Sequence, residues 1–223
     1  MNVRSQVSQA SEKLERKLGL EGRWDERRVG FLALCLALTA QAAWMFFNRF
    51  KHHTPWLSMT YPFEFAMPFL LLVLTAGRIR WIASLLRFPV AIAFLQAVSD
   101  RLGFLGKPGT PGVAWGDFAH FVRYAGEVNS FMPPASIPVL AVMATIFEST
   151  CGVALLLGLR LRWAAAGSAA LLFLFATAMT ISGLSQFEYG VYTMSAGAWA
   201  LSTVDASLVS VDAIVQRQKT VRN

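Results

Sequence analysis

The sequence predicts an all-α, polytopic membrane protein: a four-helix transmembrane bundle preceded by a two-helix N-terminal hairpin. Two observations carry the class. Apolar residues make up 55% of the chain and charged residues 15%, against roughly 25% charged in soluble domains. The apolar residues also fall in six blocks, each close to the roughly 20 residues that a helix needs to cross a bilayer. A third observation argues against nucleic acid as a partner, despite a formal net charge of +7. The basic residues cluster at the ends of the apolar blocks, where orientation signals sit. No basic face is interleaved with aromatics for stacking on bases.

Residues 1–29 are polar and mixed in charge, with Val7, Leu14 and Leu18 at helical spacing. They read either as a short amphipathic helix on the cytoplasmic face or as a solvated tail. The apolar blocks follow at about 30–48, 57–77, 84–105, 135–158, 163–184 and 190–210. This divides the chain into a hairpin over 30–83, a four-span core over 84–210 with an outer loop at 106–134, and a cytoplasmic tail at 211–223. The first block resembles a signal-peptide core ending in Thr39-Ala40-Gln41-Ala42. Its apolar run continues through Trp44, Met45, Phe46 and Phe47, so a retained span is expected.

The second block opens on "YPFEFAMP", with Glu64 between Pro62 and Pro68. Neither proline donates a helical hydrogen bond, so the segment is expected as an interfacial entry, the alternative being a broken helix lining a cavity. In the long loop, "GKPGTPG" is turn chemistry. "WGDFAHFVRYAG" then sets Phe118, Phe121 and Val122 on one helical face, with Trp115 and Tyr124 nearby. A helix of this kind is expected to lie flat at the outer membrane surface, with His120 as an exposed polar group.

Orientation follows from Lys and Arg. With the N-terminus inside, fifteen of the 20 fall on inner segments, among them Arg78, Arg80, Arg87, Arg160 and Arg162. The outer five are Arg49, Lys51, Arg101, Lys107 and Arg123. That bias places both termini in the cytoplasm. The two cysteines, Cys35 and Cys151, lie in apolar spans with no C-x-x-C, which predicts neither a disulfide nor a cysteine metal cluster.

Within lipid, the informative residues are the polar ones. Gln96, Ser99, Asp100 and Gly103 share one helical face of the third span, and Ala141, Thr145, Glu148 and Gly152 share one of the fourth. Thr177 and Thr180 mark the fifth, and Ser195, Trp199 and Ser202 the sixth. The four small-or-polar faces are expected to turn inward and pack through Gly and Ala. At about 1.5 Å per residue, Glu148 lies roughly 18 Å from the outer end of its span, near mid-membrane. Arg101 lies only about 6–8 Å below the outer surface on the same scale. Side chains lean toward helix N-termini, so Arg101 leans down and Glu148 up, and contact between them is expected. Glu148 reads either as a carboxylate holding the bundle in register or as a proton-handling group. Asp100 and Arg101 read as a structural ion pair or a headgroup contact, and Asp205 and Asp212 as helix-end charges.

The runs "FPVAIAFLQAVSDRLGFLGKPG", "AWGDFAHFVRYAGEVNSFMP" and "ATIFESTCGVALLLGLRLRWAAAGSAALLFLFATAM" resemble the DoxX family of bacterial membrane proteins over about 84–210. The resemblance implies a four-helix core in the bacterial inner membrane. It also implies a link to thiosulfate- or thiol-driven quinone reduction, with quinone as cofactor and a redox partner subunit. The expected site is Glu148 as proton acceptor or donor, with Asp100, Arg101, Gln96, Ser99, Thr145, Ser195 and Trp199 around it. The sequence shows no phosphate-binding loop, dinucleotide-binding fingerprint or metal-ligand cluster. Redox work would therefore need a bound quinone or a partner. The competing readings are a small-solute or proton-coupled carrier and a non-enzymatic assembly factor docking through 115–124.

Overall fold

A computed structural model describes residues 26–53, 67–184, 188–208 and 210–214. The N-terminal segment through residue 25, Glu64 with its flanking Pro62, and the tail from residue 215 lie outside the described residues. The elements are all helical: α1 Glu26–Lys51, α2 Met67–Leu74, α3 Arg80–Arg101, α4 Phe118–Val128, α5 Ile137–Leu157, α6 Leu161–Ile181 and α7 Glu188–Ser202. A single 3-10 turn, Pro134–Ser136, leads into α5. No strand occurs among the described residues.

Among the described residues, four helical stretches are long and apolar enough to cross a bilayer: Glu26–Lys51, Arg80–Arg101, Pro134–Leu157 and Leu161–Ile181. They correspond to four of the six apolar blocks. The second block is represented by the eight residues of α2. The sixth gives α7, of 15 residues, which stops at Ser202 rather than near 210. It stops there because Ser202 and Thr203 turn their hydroxyls back onto the carbonyls of Trp199 and Ala200. Asp205 then accepts the Ser207 amide in a tight turn. Short polar side chains that bond nearby backbone in this way compete with helix.

The helices pack as a bundle through small residues. α6 buries Ala164, Ala165, Ser168, Ala169, Leu172 and Ala176 and packs chiefly on α7. On its opposite flank α7 meets α1, where a Cβ on Gly30 would lie 3.3 Å from the Ala200 Cα. That approach of backbones is the packing mode expected where no hydrophobic effect pulls helices together. A second closely packed pair is α3 with α5, and α5 also contacts α6. Phe69 of α2 is fully buried and seats its ring on Gly197 of α7. Large apolar side chains face outward instead, among them Leu36, Phe50, Leu74, Val139 and Leu174. In a membrane this outer surface is the solvated one, because lipid is its solvent.

At one end of the bundle, charged groups tie the connections together. Arg162 meets Glu26 at 2.7 Å and Arg80 meets Asp205 at 2.8 Å, while Arg27 donates to the Ala76 carbonyl. The opposite end carries the long loop and α4. Here one expectation changes. The apolar face of α4 exists, but Phe121, Ala125 and Val128 are buried, and Phe121 and Ala125 pack with Ile137 and Ala141 of α5 rather than lying on the membrane surface. Cys35 and Cys151 are both free thiols.

The Phe69–Gly197 contact is testable. A Cβ on Gly197 would fall 2.5 Å from the Phe69 ring, whereas one on Gly126 meets only Ile137 at an ordinary 3.7 Å. Gly197→Leu is expected to destabilise the bundle by about 1–3 kcal/mol through overpacking, with Gly126→Ala near neutral. Unfolding midpoints of the two variants in the same detergent check this.

Candidate functional site

Arg101 and Glu148 meet across the α3–α5 contact at 2.7 Å, with their side chains only 2% and 4% exposed. The N–H vectors do not aim along this contact, so it is an ion pair rather than an aligned hydrogen bond. The difference in helix depth is bridged by the arginine. Its Nε donates to the Ala97 carbonyl one turn back at 3.1 Å, which folds the side chain down along its own helix. Its Nη1 donates to Thr145 Oγ1 at 3.1 Å, one turn from Glu148 on α5. Thr145 in turn donates to the Ala141 carbonyl. The guanidinium is thereby held on three sides in its own plane.

Two neighbouring aromatics pack against it. The Phe121 ring centroid is 3.7 Å from Arg101 Cζ and the Trp115 ring 5.2 Å. Trp115 also packs edge-on against Phe121 at 5.1 Å. A planar, weakly hydrated cation suits such stacking in a way that a lysine ammonium does not, and a desolvated contact of this kind contributes up to about 2 kcal/mol.

Asp100, next along the chain, points the other way. It is 5% exposed and accepts the amides of Ala114 at 2.7 Å, Gly116 at 2.8 Å and, more weakly, Trp115 at 3.3 Å. The expected Asp100–Arg101 ion pair or headgroup contact is corrected accordingly. Adjacent residues on a helix diverge by about 100°, so one charge enters the bundle and the other latches the loop. Gly116 makes the latch feasible: its φ is +72°, and a Cβ would lie 2.4 Å from the Pro108 nitrogen. Asp100 thus positions Trp115, and Trp115 with Phe121 covers Arg101. Beyond the loop, Asp117 caps α4 through the His120 amide and meets the His120 ring at 2.8 Å. The amide bond, and then the ring, hold the Asp117 carboxyl below its ordinary range.

The remaining expected site residues are not gathered here. Gln96 is exposed and Ser99 half-buried on α3. The buried stripe of that helix runs instead through Arg87, Val90, Ala91, Phe94, Val98 and Arg101, so the polar stripe read from Gln96 is turned away from the core side. On α7, Ser195 donates to the Ala169 carbonyl of α6 and Trp199 is 41% exposed. Both are remote from the pair because α7 packs on α6, α1 and α3, whereas Glu148 looks across α5 toward α3. The stripe Ala141, Thr145, Glu148 and Gly152 on α5 does face inward, with Thr145 half-buried and the others buried.

Sequence reasoning missed Arg87. Counted there only as an orientation charge, it is 2% exposed, stacks on Phe88 at 4.8 Å and donates to the Ala206 carbonyl at 3.5 Å. The signal was the stripe itself, in which Arg87 and Arg101 stand at the two ends of one apolar row.

These features define a class: an integral membrane helical bundle with a buried ion pair between two spans, lidded by the long loop before α4. Residues 82–183 match the model of the DoxX family, so that stretch is similar to a DoxX domain. The match contains both Arg101 and Glu148 and ends before α7. No curated protein and no solved structure matches the chain.

Chemically, the closed pair can hold a proton or hold helices. It does not fit a quinone ring: carboxylate and guanidinium are in contact, and Phe121 and Trp115 already pack against the cation. No step is therefore routed through a quinone at this point. Among the described residues no cluster of three His, Cys, Asp or Glu could hold a metal.

Two outcomes follow from the geometry. Arg101→Met is expected to cost about 3–5 kcal/mol, since it strands a buried carboxylate, and Arg101→Met with Glu148→Met to recover part of that loss. A double-mutant cycle of unfolding in detergent reads this. Asp100→Asn is expected to cost about 1–3 kcal/mol and to free the loop. Acrylamide quenching of Trp115, taken by difference against Trp115→Phe, should rise.

Proposed function

We propose that this chain is the membrane accessory of a quinone-linked redox system driven by thiosulfate or thiols, acting through a partner subunit, with Glu148 as the proton-exchanging group. One observation supports this over a quinone seat within the chain: the Arg101–Glu148 pair is closed at 2.7 Å and covered from the outer side by Trp115 and Phe121. A carboxylate in that position is shielded from water and separated from the outer face by one loop. Arg101 orients it, Thr145 fixes Arg101, and Asp100 sets the loop that admits or excludes water. The partner supplies the electron carrier and the quinone contact.

The proposal includes the bacterial inner membrane as location, six spans and cytoplasmic termini. It also includes the division into a 30–83 hairpin and an 84–210 core. The gathering of Arg27, Arg80 and Arg162 at the end opposite the long loop supports the orientation, by the rule that cytoplasmic connections collect Lys and Arg.

The test is quinone reduction in lipid vesicles with thiosulfate or simple thiols as donor. The purified chain is assayed alone, then with membrane extract from cells lacking it. Turnover that needs both chain and extract, and falls at least about tenfold in a folded Glu148→Gln variant, is the expected result; general acid–base steps carry about 10²–10⁴-fold. Turnover by extract that ignores the chain would remove the redox reading.

A further inference from the structure

We propose that the depression at the inner end of the bundle, between the start of α6 and the segment after α7, binds the headgroup of a phosphatidylethanolamine lipid, with Arg160 taking its phosphate and Asp212 its ammonium. The depression holds about 360 Å³ and is lined by Arg160, Arg162 and Trp163 from the start of α6 and by Asp205, Ser207 and Asp212 from the segment after α7. That volume lies within the range of about 300–1,000 Å³ typical of small-molecule sites.

Its charges sort into two kinds. Arg162 is engaged by Glu26, and Asp205 by Arg80 and by the Ser207 hydroxyl and amide. Arg160 and Asp212 have no ion-pair or side-chain hydrogen-bond partner among the described residues, although both line the same hollow. Two unengaged charges of opposite sign lining one depression match a ligand carrying both signs. Trp163 sets the depth. It is 75% exposed beside these arginines, and an exposed indole next to arginines at a span end belongs at the headgroup level of a bilayer. The chemistry selects among lipids. An anionic phosphatidylglycerol would meet Arg160 but offers Asp212 only neutral hydroxyls, with no countercharge. A phosphatidylcholine presents a quaternary ammonium with no N–H for the aspartate to accept. Phosphatidylethanolamine supplies a phosphate acceptor and an ammonium donor together, and charge-assisted hydrogen bonds at both ends are the stronger kind.

The experiment uses the full chain in mild detergent, stripped of lipid and titrated separately with the ethanolamine, glycerol and choline lipids of one acyl composition. Bound lipid is counted by native mass spectrometry. The native chain should retain one phosphatidylethanolamine at least tenfold more tightly than the other two. Arg160→Gln should weaken it about tenfold, and Asp212→Asn should erase the preference over phosphatidylglycerol. Far-ultraviolet circular dichroism confirms that each variant is folded. Trp163 emission, taken by difference against Trp163→Phe, should shift to the blue on adding the ethanolamine lipid to the native chain. Equal retention of all three lipids, tighter binding of phosphatidylglycerol, or ethanolamine binding and emission shift unchanged in both variants would overturn the proposal.

Discussion

The structure hangs on a single guanidinium. Arg101 is almost wholly removed from solvent, in a region whose surroundings are hydrocarbon and protein. A charge there costs several kcal/mol unless its donors are met. Each part of Arg101 is met by a different element: its own helix at Ala97, α5 at Thr145 and Glu148, α4 at Phe121 and the outer loop at Trp115. None of these segments can shift alone without exposing part of the cation. The pair therefore specifies how α3, α4, α5 and the loop sit together, which apolar side chains in lipid do poorly because one apolar contact resembles another.

The coupling extends through Asp100. A carboxylate accepting three successive backbone amides fixes the conformation of the loop at 114–116. That conformation is what delivers the Trp115 ring. Opposite charges on adjacent residues thus serve two compartments, one gripping the loop from the membrane end and the other organising the interior. The arrangement makes the outer surface and the buried pair one mechanical unit, so a perturbation of the loop reaches Glu148 through two contacts.

Much of this was legible in the sequence, and the misses have physical reasons. The class, four of the six expected spans and the inward stripe of α5 follow from block length and from 3.6-residue periodicity. The Arg101–Glu148 contact follows from side-chain lean. The face of α3 was misread because polarity was taken as the mark of the interior. In that helix the interior row is Val90, Ala91, Phe94 and Val98 between two arginines, while Gln96 faces out. The apolar face of α4 was found correctly but assigned to lipid, since a single helix cannot tell a membrane surface from a neighbouring helix. The early end of α7 was hidden because Ser202, Thr203 and Asp205 act through local hydrogen bonds that a hydropathy reading does not register.

The separation of the ion pair along the chain has a consequence for biogenesis. Glu148 is synthesised 47 residues after Arg101, roughly 2–9 s later at 5–20 residues per second. During that interval α3 is in the membrane with an arginine and no counter-ion. Its place in the last turn of α3 lets the side chain extend toward the headgroups while it waits. The arrival of α5 brings Thr145 and Glu148 to the guanidinium. The Asp100 latch on residues 114–116 lies wholly before α5 in the chain, so the loop that carries Trp115 is synthesised complete before the counter-ion arrives.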